Sequence, residues 1–133
     1  TGPLFGTFFM SMSDAASGDA ALDARGLAAA FAAGLAGVQK RTRARVGDKT
    51  MLDALVPAVE AAQAAADCGG SVEDVLRSAF EAARAGAEGT SALQARFGRA
   101  KNIGEKSIGQ PDAGATSVSL LFKGFLEGVT SHA

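Results

Sequence analysis

The stretch Asp23-Ala-Arg-Gly-Leu-Ala-Ala-Ala-Phe-Ala-Ala-Gly-Leu-Ala-Gly-Val-Gln-Lys40 decides the fold class. With Leu22 just before it, its large apolar residues are Leu27, Phe31, Leu35 and Val38, three to five residues apart. That spacing marks one face of an α-helix. The alanines at 28, 29, 30, 32 and 33 keep the helix thin, so a neighbouring helix can approach it closely.

The same periodicity recurs on both sides. Toward the N-terminus, Pro3 to about Ser13 begins with proline in a first-turn position and carries Leu4, Phe8 and Phe9 as a buried stripe. Downstream, Thr50-x-x-Asp53 and Ser71-x-x-Asp74 have the form of capping boxes, with aspartate in place of glutamate or glutamine, and each should start a helix. The first runs through Leu52, Leu55, Val56, Val59 and Ala62 to Asp67, where Gly69-Gly70 ends it. Pro57 lacks an amide donor and should force a kink or an early break. The second runs through Val72, Val75, Leu76, Ala79, Phe80 and Ala83 to about Leu93. Ser117 is expected to cap a last helix, with Leu120, Leu121, Phe122, Phe125, Leu126 and Val129 on its apolar side. There is no alternating strand pattern beyond four residues, no solenoid repeat and no heptad. The expectation is an all-α bundle of antiparallel helices joined by short turns.

Composition narrows the function. The 133 residues are the size of one domain. Thirteen basic residues against 14 acidic ones give a net charge of -1, so no global field points to nucleic acid or to an anionic membrane. Any phosphate binding must be local. No apolar run approaches the roughly 18 residues of a membrane span, and Phe5 to Met12 lacks the flanks of a signal peptide. Cys68 is the only cysteine, which excludes an intrachain disulfide and fits a reducing, cytoplasmic setting. It reads as a small apolar residue at a helix end. The only histidine, His132, is the penultimate residue, so histidine catalysis from within the chain is not expected.

Packing does not account for Gly98-Arg-Ala-Lys-Asn-Ile-Gly-Glu-Lys-Ser-Ile-Gly-Gln-Pro-Asp-Ala-Gly114. Glycines let backbone amides approach a ligand, and Arg99 offers a planar fork of donors suited to phosphate oxygens. On residue types alone, two readings stay open. The segment is an anion cradle, or Arg99 and Lys106 pair with Glu105 and Asp112 to hold a structural loop. Lys40-Arg-Thr-Arg-Ala-Arg45 is similarly open, between a solvated helix end whose cations favour the C-terminal dipole and an anion site.

That loop, Gly47-Asp-Lys-Thr-Met-Leu-Asp-Ala-Leu55 and Thr1-Gly-Pro-Leu-Phe-Gly-Thr-Phe-Phe9 together resemble the nucleotide-binding domain of dihydroxyacetone kinases, best known as the separate L subunit. The resemblance spans nearly the whole chain. The family's loop commonly reads Gly-Arg-Ala-Ser-Tyr-Leu-Gly-Glu-Arg-Ser-Ile-Gly-His-x-Asp-Pro-Gly, with the arginine near the phosphates and Asp-Pro-Gly lining the nucleotide pocket. Carried over, these positions are Arg99, Asp112, Ala113 and Gly114. Lys101-Asn102 stands in place of Ser-Tyr, Gln110 in place of His and Ala113 in place of Pro. The last change restores backbone freedom to the unbound state, so altered nucleotide retention is expected. The resemblance also implies that Met51 packs on adenine, the other reading being an ordinary core methionine at a helix start. Thr42 falls where the family often has a glycine beside the nucleotide. Asp48, Lys49 and Asp53 read as caps and inter-helix polar contacts.

The family's Gly-Gly-[Ala/Ser]-Ser-Gly-Pro-Leu is a phosphate-binding turn at a helix N-terminus. Thr1 stands at its serine and Gly2-Pro3-Leu4 follow. Two Mg²⁺ ions are held in the family by an upstream Asp-x4-Asp-x-Asp motif, which does not occur in these 133 residues. Asp19 with Asp23, and Glu73 with Asp74, read as surface charges or caps. The resemblance therefore implies the C-terminal two thirds of one domain, about five of the eight helices of an α-barrel. It leaves roughly 80 residues to its N-terminal side, within ordinary domain sizes.

The implied function is to hold Mg-ADP or Mg-ATP and present the terminal phosphoryl group to dihydroxyacetone on a separate K subunit or domain. In phosphotransferase-linked members a phosphocarrier protein recharges the bound ADP. The 133 residues alone are expected to be inactive, and to self-associate or pair with the N-terminal part through Phe5, Phe8, Phe9, Leu121, Phe122 and Phe125. Three alternatives stay open. They are an ATP-dependent kinase for a related ketose such as erythrulose, a non-catalytic regulatory module that docks on the K subunit or a transcriptional regulator, and a bundle whose loop is only structural.

Overall fold

A computed structural model of the chain describes residues 2–15, 23–93 and 108–131. They form five α-helices: α1 (Gly2–Ala15), α2 (Ala24–Gln39), α3 (Leu52–Asp67), α4 (Val72–Gly89) and α5 (Ala113–Ser131). One 3₁₀ turn, Thr90–Ala92, extends α4. Among the described residues there is no strand, so the all-α expectation holds.

Most helix ends follow from the residues named above. Asp23 caps α2, its side chain accepting from the Gly26 N–H at 2.7 Å. Ser71 and Asp74 complete a reciprocal capping box at the start of α4. Gly69, at φ +82°, closes α3 in the left-handed conformation, while Gly70 N–H returns to the Ala65 carbonyl at 2.9 Å.

Three expectations are corrected and one is narrowed. The last helix starts at Ala113, before Ser117, because Asp112 Oδ2 accepts the Ala115 N–H at 2.9 Å and so supplies the cap. Of the kink or early break expected at Pro57, the early break does not occur, since α3 continues from Leu52 to Asp67. The Thr50 box is only half made: Asp53 accepts the Thr50 N–H at 2.9 Å, but Thr50 Oγ1 accepts from Leu52 and not from Asp53. Phe9 and Leu120 leave their expected stripes, at 43% and 59% exposed. On α1 the inward stripe is Leu4, Phe8 and Met12, one residue per turn, and on α5 it is centred on Val118 and Phe122.

The core is small-residue packing around a phenylalanine cluster. On α3 the fully buried Ala54, Ala58, Ala62 and Ala66 lie one turn apart, and α4 meets them with Val75, Ala79, Ala83 and Ala87. These two helices make the most extensive pair. Phe31 of α2 meets Phe122 of α5 edge to face at 5.1 Å and stacks with Phe125 at 6.1 Å. On the other flank α1 packs chiefly on α2, closely enough that a Cβ added at Gly34 would lie 2.5 Å from the Phe8 ring.

Successive helices run antiparallel. Gly37 faces Thr7 and Ser11 between α1 and α2, Gly86 faces Asp53 between α4 and α3, and Thr90 binds Asp112 between α4 and α5. One end of the bundle therefore gathers the N-termini of α1, α3 and α5 and the C-termini of α2 and α4. At the other end lies an apolar cleft of about 250 Å³, between Met12 of α1, Leu27 and Phe31 of α2, Val72 and Leu76 of α4, and Phe125 and Val129 of α5.

Candidate functional site

The turn between α2 and α3 is organised by one buried carboxylate. Asp53 Oδ1 accepts the Gly47 N–H at 2.6 Å and Oδ2 accepts the Thr50 N–H at 2.9 Å. Asp48 closes the turn before it, accepting the Arg45 N–H at 2.9 Å. The backbone can turn this sharply because Gly47 takes φ +101°. Asp48 and Asp53 thus serve as turn and cap residues. Met51 follows, 3% exposed and part of the core cluster at the first turn of α3. Thr42, half-buried, accepts the Ala44 N–H on its Oγ1 at 3.1 Å.

The segment before α5 is tied to two other elements. Thr90, fully buried at the end of α4, donates its hydroxyl to the Ala87 carbonyl at 2.5 Å and accepts the Asp112 N–H at 2.7 Å. Gly109 N–H donates to the Ser91 carbonyl at 2.5 Å. From the α3 turn, Lys49 Nζ donates to the Gln110 carbonyl oxygen. Asp112 is half-buried, Ala113 exposed and Gly114 buried.

Six of the residues singled out in the sequence, Gly2, Thr42, Met51, Asp112, Ala113 and Gly114, therefore stand at one end of the bundle. Thr1 and Arg99 lie outside the described residues, as does the 98–107 part of the loop. Lys40, Arg41, Arg43 and Arg45 are exposed on the connection leaving α2 at the same end, Lys40 being its C-cap. The N-terminal ends of α3 and α5 add the positive end of their helix dipoles there. The exposed cations and the helix N-termini suit this end to an anion. Among the described residues no group of three histidines, cysteines or carboxylates could hold a metal ion.

One residue of this end, Thr90, has no counterpart among the residues singled out in the sequence. Thr90 carried no signal, since its partner Asp112 is 22 residues away across the loop. Lys49 makes the polar contact expected of it, with a partner 61 residues on that no spacing along the chain indicates.

The chain matches the family model described as the DAK2 domain over residues 1–127. It is 42% identical over 123 residues to the ADP-binding subunit DhaL of the PEP-dependent dihydroxyacetone kinase of Escherichia coli (strain K12), covering 92% of this chain and 59% of that subunit. The ADP-binding subunit DhaL of PEP-dependent dihydroxyacetone kinase 1 of Listeria innocua is 40% identical over 127 residues, covering 96% and 58%. The L-erythrulose 1-kinase of Mycolicibacterium smegmatis is 37% identical over 130 residues, covering 98% of this chain and 22% of that enzyme. The chain thus spans less than two thirds of the length of these curated relatives. A family match that runs from α1 nearly to the end of α5, through both turns of the candidate site, makes this chain a member of the DAK2 domain family.

Proposed function

We propose that this chain is the nucleotide-holding part of a dihydroxyacetone kinase-type phosphotransferase. One observation carries the reading: the Met51 turn and the segment leading into Asp112–Gly114, far apart in sequence, are joined at one end of the bundle by Lys49. Phosphoryl transfer demands alignment and charge neutralisation more than covalent chemistry from the protein. On this reading the turn that carries Met51 lies beside the adenine, with the buried Met51 side chain supporting it from the core, Asp112–Gly114 lines the pocket, and Gly2 and Arg99 face the phosphates of ADP or ATP. The bound nucleotide presents its terminal phosphoryl group to dihydroxyacetone on a K subunit. Mg²⁺, where the reaction uses it, is assigned to residues other than those described, and Thr1 and Thr42 border the site. The reading places the protein in the cytoplasm, consistent with the absence, among the described residues, of a helix long and apolar enough to cross a membrane.

The PEP-dependent relatives favour a nucleotide that stays bound as ADP and is recharged by a phosphocarrier protein. The similarity to L-erythrulose 1-kinase supports a second version, in which ATP exchanges and the acceptor is a related ketose. Calorimetric titration with ADP and with ATP, with and without Mg²⁺, tests both. ADP is expected to bind and, in the first version, to survive gel filtration. Binding of neither nucleotide would overturn the proposal.

A further inference from the structure

We propose that Lys49 is a positioning residue whose ammonium sets the separation between the Met51 turn and the Asp112–Gly114 segment. This rests on the nucleotide reading above. The case begins with what a lysine costs at this position. Lys49 has φ +61°, the only positive φ outside glycine among the described residues. That region crowds an L side chain, and glycine enters it freely. Lys49 is also only 3% exposed, and burying an ammonium is unfavourable unless it is hydrogen-bonded. Glycine would avoid both penalties.

What lysine supplies instead is a bond that glycine cannot make. Nζ reaches the Gln110 carbonyl oxygen, two residues before the cap of α5. Strained residues held in place by their surroundings concentrate at binding sites and clamps. The other bonds to this segment, from Gly109 to Ser91 and from Asp112 to Thr90, anchor it to the end of α4. Lys49 anchors it to the α3 turn, across the end of the bundle. Its own base is firm, because Asp53 holds the turn on either side through Gly47 and Thr50. The acceptor is a backbone carbonyl, so the side chain present at position 110 does not decide whether the bond forms.

Lys49→Met keeps the stem and removes the donor, and Lys49→Gly also relieves the backbone. Both are made in the 133-residue chain and read by ADP titration, thermal melting and amide exchange. ADP binding should weaken about tenfold in each, as expected for loss of a charge-assisted hydrogen bond. Exchange should quicken at Gly109 and Asp112 while α3 and the body of α4 stay protected. Lys49→Gly should melt no lower than wild type. Unchanged ADP affinity, or unchanged exchange at Gly109 and Asp112, would overturn the positioning role. So would a general loss of protection and of melting temperature, which would make Lys49 merely structural. A wild-type chain that takes up no ADP would overturn the nucleotide reading, and with it the purpose given to Lys49. A wild-type chain that binds ADP as well as both variants do would overturn the positioning role alone.

Discussion

Gly86 of α4 lies against the backbone carbonyl of Asp53 in α3, so close that a Cβ at residue 86 would stand 2.1 Å from that oxygen. The carbonyl is a special one. In an unbroken helix it would accept from residue 57, and residue 57 is proline, which has no N–H to give. Helix α4 thus packs tightly on α3 where the hydrogen-bond ladder of α3 has a gap. The same Asp53 holds the site turn with its side chain, so the packing of α3 on α4 and the geometry of the candidate site share one residue.

Gly86→Ala is therefore expected to be severe for a single methyl group. The obstacle is backbone, which cannot rotate away, and the helices must part. A loss of about 2 kcal/mol or more is expected, in the upper range for overpacking a core. Urea unfolding followed by far-ultraviolet dichroism measures it. Wild-type stability in Gly86→Ala would show that the two helices are not in close contact there. Pro57→Ala should act in the opposite direction, since it restores a donor within the ladder.

Gly34→Ala should act more locally. The added Cβ would stand 2.5 Å from the Phe8 ring and 2.9 Å from Met12, and both side chains belong to α1. Because α1 packs chiefly on α2, loosening that seam need not disturb α3 and α4. About 1 to 3 kcal/mol is expected, with faster amide exchange confined to α1 and the facing part of α2. Uniform loss of protection across all helices would show that α1 belongs to the same cooperative unit as the rest.

The helical fold was legible because its signals are local. Phe31 and Val38 recur at helical spacing, Ser71 and Asp74 cap reciprocally within one turn, and Gly69 stops α3 where it was expected to. Errors arose where tertiary contacts decide. Asp112 outcompetes Ser117 as a cap because its N–H is fixed by Thr90, which no spacing rule can foresee. Phe9 turns outward because Phe8, its neighbour in sequence, takes the place against Gly34. The elements of the site could be named from a resemblance, but the bonds that join them span 22 and 61 residues and carry no pattern along the chain.

Arg99 gives a direct test of the nucleotide reading. Arg99→Ala should weaken ADP binding by about 1.5 to 3 kcal/mol, the range for hydrogen bonds to a charged group. If Arg99 only pairs with a carboxylate on the loop surface, stability should fall by less than about 1 kcal/mol and binding should not change. Titration of the variant with ADP and Mg²⁺ separates the two, and unchanged affinity would return Arg99 to a structural role.

Thr90 is the hinge between α4 and the start of α5. Valine has nearly the same shape, so Thr90→Val should preserve the packing of this fully buried side chain while removing the acceptor for the Asp112 N–H. The Ala87 carbonyl keeps the backbone N–H of residue 90, so the donor left without a partner is the one that matters. Leaving such a group unsatisfied costs about 1 to 3 kcal/mol. Thr90→Ser keeps the hydroxyl and loses a methyl group, at about 1 kcal/mol. The expected order of stability in urea is wild type, then Ser, then Val, with exchange at Asp112 quickened most in Val. If Val proves as stable as wild type, the Thr90–Asp112 bond does not set the start of α5, and Asp112 would have to be held there by its own cap alone.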